Sequence, residues 1–383
     1  MHYLCAVMRK KWISLVFAML LSTVSFSQSG TIFSPRVKSL EVWVNGDWLA
    51  PPVLRLNSGD VLSIGFDEMS HGYHRYIYVV EHREADWSLS DELFESDYLE
   101  GFNGMPIDDY EHSINTTVDY THYSLSIPNS NCRLKISGNY RLHVYDDDND
   151  REEVLSVDFM VSEDVVPLSL TCTGNTDISF NTCHQQISMH LDYGQLQVTN
   201  PDEQLSTVIM QNFSRRDSRC NVKPDIVSPR GLEWSHSREL IFDAGNEYHK
   251  FEVLDVSHPT MGIDQIYWDG QHFHALPFVD EPRAHYVYDE DANGAFLIRN
   301  SDNRESHTTS DYVLVDYRLR MAELPAGMNV AIDGWWTSDA SPSAYLMTYD
   351  VELGEYRASL LLPDVPDPAD AALPHRHHRN GPP

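Results

Sequence analysis

The chain is poor in cysteine, in basic residues and in long apolar runs, and each shortage excludes a class of protein. Five cysteines in 383 residues are too few for a disulfide-dense scaffold, and no pair has the CxxC or Cys/His spacing that tetrahedral zinc needs. Lys and Arg number 27 against 58 Asp and Glu, a formal net charge of −31. A field of that sign repels nucleic acid and anionic lipid head groups, so no nucleic-acid partner is expected. After the N-terminal stretch no apolar run approaches the roughly 20 residues of a membrane-spanning helix, so no direct membrane insertion is expected either. GxSxG, HExxH, a phosphate-cradling glycine loop and a GxGxxG after a strand are all missing, and no internal repeat is regular enough for a solenoid or propeller. The reading is of a protein that is not an enzyme, with no catalytic residue, no cofactor and no metal ligand to assign.

The first 27 residues have the layout of an export signal. Arg9, Lys10 and Lys11 precede the apolar run Trp12–Leu21, and the small residues Ser25 and Ser27 suit a cleavage site. Ser22-Thr23 stops the run short of a transmembrane anchor, so a cleaved signal peptide over 1–27 is expected. Export permits disulfides among Cys132, Cys172, Cys183 and Cys220. A bridge between Cys172 and Cys183, across the Gly174-Asn175 turn, is weighed evenly against free thiols.

What is present is a succession of short strands. Val37–Val44 alternates, Asn45-Gly46-Asp47 turns the chain, and further runs at Val61–Phe66, Tyr73–Glu81, Ile107–Ser113, His122–Ile127, Tyr140–Tyr145 and Val154–Val161 are each bounded by Gly, Pro, Asn or Asp. That spacing predicts an all-β chain of consecutive antiparallel β-sandwiches, Ig-like or fibronectin-like. The expected division is an N-terminal sandwich over 31–163, a middle β domain over 165–282, a C-terminal Ig-like domain over 283–362 and a disordered Pro-rich tail over 363–383. The middle segment is expected to hold strands at Ile187–Leu191, Leu205–Asn212, Leu240–Phe242, Phe251–Val256 and Gly262–Tyr267. The last is expected to hold a hairpin around Asn293-Gly294, and strands at Tyr312–Arg320, Asn329–Trp336, Ala344–Tyr349 and Tyr356–Leu362.

One stretch of the N-terminal domain breaks the pattern. After the strand-like Tyr76–Val80 comes an acidic, Trp-bearing knot, Glu84-Ala85-Asp86-Trp87, then Ser88 to Gly101, in which Leu89, Leu93, Phe94 and Tyr98 fall at roughly helical spacing. A short helix and an irregular loop fit equally, and aromatics so spaced are expected to fill the gap between two sheets. The other chemistry-bearing groups are weak. Asp289-Glu290-Asp291-Ala292-Asn293-Gly294 begins like a calcium loop, but Asn300 stands where the bidentate Glu belongs. The acidic run Asp146–Asp150 reads as a solvated turn. His272 and His274 share a strand face but lack a third ligand. Trp335, Trp336 and Tyr345 are candidates for a sugar-stacking platform, and core packing is the commoner role for such aromatics.

Several strings, taken in order, resemble one family. They are Leu54-Arg55-Leu56-Asn57-Ser58-Gly59-Asp60, Ala85-Asp86-Trp87 with Ser88 and Ser90, Tyr98-Leu99-Glu100-Gly101-Phe102, Asn115-Thr116-Thr117, Tyr120-Thr121-His122-Tyr123, Ser137-Gly138-Asn139-Tyr140 and the Asp289–Gly294 turn with Ile298-Arg299-Asn300-Ser301-Asp302. Between about Val37 and Leu362 the chain is similar to the plug proteins of the Bacteroidota type IX secretion system. The resemblance implies a periplasmic, non-enzymatic β-protein. Its implied partner is the large outer-membrane translocon barrel, whose periplasmic mouth it closes when no cargo is bound. The third segment also resembles the Ig-like modules that bind glycogen, which leaves periplasmic carbohydrate binding as the alternative. After Leu362 the family pattern continues into further strands where this chain turns to PDVPDPADAALPHRHHRNGPP, so the last domain is expected to be incomplete.

Overall fold

The computed structural model describes residues 30–363 apart from 246, 284, 285, 287, 289–291, 302–304, 336 and 338–341. The expected signal peptide, the tail, Trp336 and the first half of the calcium-like loop therefore lie outside the described residues.

The first unit is a β-sandwich. One sheet runs Gly30–Ile32, Glu152–Ser162, Gly138–Asp146, Tyr76–Arg83 and Met105–Pro106, with Val53–Arg55 alongside Glu152–Ser162; the other runs Val37–Val44, Leu62–Glu68, Thr121–Ile127 and Asp109–His112. Period-two alternation puts Ile64, Phe66, Tyr123, Tyr78, Val80, Leu142 and Phe159 between the sheets, all buried. The central strand Glu152–Ser162 is buried on both faces from Val154 to Phe159. Its outward Asp158 is held by a bidentate pair with Arg141, Nε–Oδ1 2.6 Å and Nη2–Oδ2 2.8 Å.

The middle sheet is ordered Leu168–Thr173, His184–Asp192, Gly231–Trp234 and Ile226–Ser228, with Ile241–Asp243 pairing the start of His184–Asp192. A two-stranded ribbon, Val208–Gln211 with Ser214–Cys220, lies separately. Trp234 anchors this core, fully enclosed, its indole Nε1 donating to the Val222 carbonyl at 2.7 Å. The third sheet is ordered Ile263–Trp268, Phe273–Pro277, Tyr312–Arg320, Glu355–Pro363, Leu346–Asp350 and Val330–Ala331. This sheet takes strands from both sides of residue 282, so the expected division there passes through a hydrogen-bonded array.

The all-β architecture of antiparallel sheets is the one the strand pattern predicts. Several local expectations are corrected. Phe251–Val256 is buried at Phe251 and Val253 but is not a strand. Gly262, at φ +77°, passes so close that a Cβ would lie 2.7 Å from the Lys250 carbonyl oxygen, and that crossing takes the place of ladder pairing. Asn293 and Gly294 do hold positive φ, yet no strand flanks them among the described residues. The expected strand over 329–336 shrinks to Val330–Ala331. The cysteine bridge is absent: all four described thiols are free, and the register places Cys172 opposite Ile187 rather than Cys183. The segment 88–101 is helical only over Glu95–Tyr98.

Candidate docking surface

The knot after Tyr76–Arg83 is a turn of defined geometry. Trp87 takes a left-handed conformation, φ +67°, and the chain closes through Glu84 N–Ser88 O and Trp87 N–Glu84 O, both 2.9 Å. The Asp86 carboxylate accepts from Ser88 N at 3.0 Å and from its hydroxyl, which holds its pKa below the usual carboxylate range. Trp87 itself is only half-buried, so the expectation that it fills the gap between sheets is corrected. Tyr98 does that instead, ring against ring with Tyr140 and His82.

Around Tyr98 the lobe is tied down on all sides. Leu99–Gly101 pairs with Cys132–Leu134, Asn103 bonds both the N–H and the carbonyl of Val80 at 2.8 and 3.0 Å, and Lys135 Nζ reaches the Ser96 carbonyl at 2.6 Å. Gly101, φ +131°, packs so tightly that a Cβ would sit 1.8 Å from the Asn131 carbonyl oxygen, which makes glycine obligatory there. Out of this framework stand Phe94, 78 % exposed, and Phe102, 72 % exposed, with Leu89 nearby in sequence and also exposed. Asn103 N approaches Glu95 Oε1 at 3.4 Å, tying the segment of Phe94 to that of Phe102. Bare aromatics on backbone tied down in this way, with Glu84, Asp91, Glu92 and Glu95 also exposed in the same stretch of chain, make this lobe the candidate contact patch.

A second feature fixes this sandwich to the third sheet. The ladder slips between Lys38 and Glu41, with Ser39 at φ +56°. That bulge presents the Ser39 hydroxyl to Tyr312 Oη, which donates to Asp67 Oδ2 at 2.7 Å. The other Asp67 oxygen accepts from His122 Nδ1 at 2.7 Å. Tyr120 Oη donates to the Ser310 carbonyl at 2.9 Å, Thr117 donates twice to Asp311 Oδ1, and Ile114 N donates to the Thr308 carbonyl at 2.7 Å. His307 stacks on His122 with ring centroids 4.7 Å apart, and its Nδ1 lies 3.5 Å from the buried Glu41 carboxylate. Neither Glu41 oxygen has a hydrogen bond among the described residues.

Glu41 holds the His307 imidazole above the ordinary histidine range, outweighing burial, and Asp67 and Glu111 add to it. Burial pushes His143 and His274 down, but the carboxylates of Glu153 and Glu81, and of Asp316 and Asp269, push them up by more. A histidine with a raised pKa contributes stability that is complete below its unfolded value near 6.5 and is lost as pH rises through the folded value. The expected result is a thermal midpoint that falls between about pH 6 and about pH 8, with a shallower fall in His307→Gln. A midpoint that climbs across that window contradicts this assignment.

The other candidates resolve simply. His274 is spent on Asp316 and Asp269, at 2.7 and 3.2 Å. Asp146 is fully buried against Arg36 at 2.7 Å, which corrects the reading of its run as wholly solvated. Trp335 is half-buried with its ring edge-on to Phe213, and Tyr345 lines an apolar cavity with Leu40, Phe251 and Leu360–Leu362. Both rings are half-buried. Among the described residues no helix is long and apolar enough to cross a membrane.

Residues 37–163 match the family model described as the first domain of the type 9 secretion system plug protein. The crystal structure of a hypothetical protein from Parabacteroides merdae superposes with a TM-score of 0.84 at 30 % sequence identity, over 91 % of this chain and 92 % of that one. No curated protein matches. With the plug-domain model matching residues 37–163, nearly all of the first sandwich, the chain belongs to the type IX secretion system plug protein family.

Proposed function

We propose that this protein is the periplasmic plug subunit of a type IX secretion system. In this reading it docks through its first sandwich on the periplasmic mouth of the outer-membrane translocon barrel and closes the channel when no cargo occupies it. The observation that carries the reading is the plug-domain match over 37–163, which contains the Phe94 and Phe102 lobe. Its physical support is consistent. The work of a plug is done by shape and a rigid contact surface, and the lobe offers exposed aromatics on backbone locked by Gly101, Asn103 and Lys135. The Asp67–Tyr312 seam ties that sandwich to the third sheet, so the part that touches the barrel carries the rest of the chain with it. The acidic surface keeps such a subunit soluble until a specific patch engages.

Channel closure has a direct readout in cells. Deleting the gene is expected to make the outer membrane permeable to antibiotics too large for porins, and the intact chain supplied in trans is expected to restore resistance. Unchanged permeability in the deletion strain contradicts the plug role.

A further inference from the structure

The strand Leu168–Thr173 has the composition of a half-buried strand and the environment of a bare one. Its sequence, Leu-Ser-Leu-Thr-Cys-Thr, alternates apolar and polar, yet all six residues are exposed. The register shows what is unusual. Leu170 stands opposite Met189, which stands opposite Trp234; Leu168 stands opposite Leu191, and Leu191 opposite Leu232. Residues directly opposite share a sheet face, so Leu168, Leu170 and Cys172 extend the same apolar layer that forms the middle core. Met189, Leu232 and Trp234 are 5 %, 4 % and 1 % exposed, whereas Leu168 and Leu170 are 56 % and 49 % exposed. The core layer runs on past its cover. Among the described residues the strand is also the outermost of its sheet, so every second residue turns its backbone N–H and C=O away from His184–Asp192 with no described strand beyond.

We infer that Leu168–Thr173 is a strand-addition site, taking an extended segment of another protein as the next strand of the middle sheet. The segment's chemistry follows from the edge. Apolar residues at alternate positions would continue the layer of Leu168, Leu170 and Cys172, with polar residues on the face of Ser169, Thr171 and Thr173. Basic residues suit its two ends, because the strand itself is uncharged while exposed Glu163 and Asp164 precede it and exposed Asp177 follows it. A second copy of this chain fits poorly. It brings another net −31, and a six-residue strand pair alone falls well short of the roughly 1,200 Å² of a stable protein interface. A peptide strand needs less, since main-chain hydrogen bonds supply its affinity. This site is separate from the Phe94 and Phe102 lobe and does not depend on the plug reading.

The test is amide hydrogen exchange on the full chain with a capped octapeptide, Lys-Thr-Val-Thr-Val-Thr-Val-Lys, as probe. The expected result is exchange about tenfold slower across 168–173 with peptide present, and no such slowing in Leu170→Asp. Because Leu170 is half exposed, that variant is expected to keep the parent melting curve, and Ser169→Glu, on the polar face, is expected to keep peptide protection. Three results overturn the inference: no peptide-dependent slowing; protection that grows with protein concentration alone, which identifies a second copy; or protection already present without peptide and lost in a chain ending at Pro363, which identifies the tail.

Discussion

Replacing Phe94 and Phe102 together by serine is expected to release the protein from outer-membrane fractions while leaving its fold intact. Both rings are more than two-thirds exposed, so removing them takes little from the sandwich core. What holds the lobe is elsewhere: Tyr98 beneath it, the Leu99–Gly101 pairing with Cys132–Leu134, and the Asn103 bonds to Val80. An interface aromatic at the centre of a patch contributes about 2 kcal/mol or more, so the double variant is expected to bind at least about 30-fold more weakly. Leu125→Ala is the contrasting control, because it opens the core between the sheets and is expected to lower the melting temperature first. Retention of the double variant at parental levels, with an unchanged melting curve, would move the contact away from this lobe.

The second large effect concerns the seam. Asp67→Ala is expected to destabilise the chain by about 3 kcal/mol, because it strips the acceptor from two buried donors at once, Tyr312 Oη and His122 Nδ1, both 2.7 Å away. Truncating one member of a buried polar cluster costs more than the bond itself is worth, since the groups left behind cannot reach water. Tyr312→Phe removes one donor and leaves His122 paired with Asp67, so its cost is expected to be about 1 kcal/mol. The measurement is chemical denaturation of the parent and both variants, with limited proteolysis across 300–312 as a local readout. Equal stabilities for Asp67→Ala and Tyr312→Phe would show that the seam does not hold the two sheets together.

The strands that alternate cleanly were legible in the sequence. Tyr312–Arg320 was expected residue for residue, and Thr121–Ile127 and Glu152–Ser162 fell within two residues of expectation. The family strings were legible too, and the structure gives them physical reasons. Asp60 organises its turn through Asn45 and Arg55, Asp86 closes the Trp87 turn, Gly101 and Gly138 permit crossings against Asn131 and His82, and Thr117, Tyr120 and His122 form the seam. Apart from the exposed Phe102, what the strings mark is scaffold. Phe94, the most exposed aromatic of the lobe, sits in none of them, and its exposure cannot be read from spacing.

The rest was hidden because it depends on partners far along the chain. Asp67 and Tyr312 are 245 residues apart, and nothing local in either stretch announces their contact. The Leu168–Thr173 strand was not among those expected although it alternates, because Pro167 before it and Gly174 after it leave a run of only six residues. Phe251–Val256 reads as a strand from its alternating apolar residues, but burial of Phe251 and Val253 without a neighbouring strand to pair with yields a packed loop.

The most direct test of the docking claim is to purify the outer-membrane translocon barrel through a tag on the barrel and identify what accompanies it by mass spectrometry. The expected result is this chain in near-equal amount with cargo-free barrel, and its loss from the Phe94→Ser, Phe102→Ser strain. Cargo-free barrel that purifies without this chain would contradict the account.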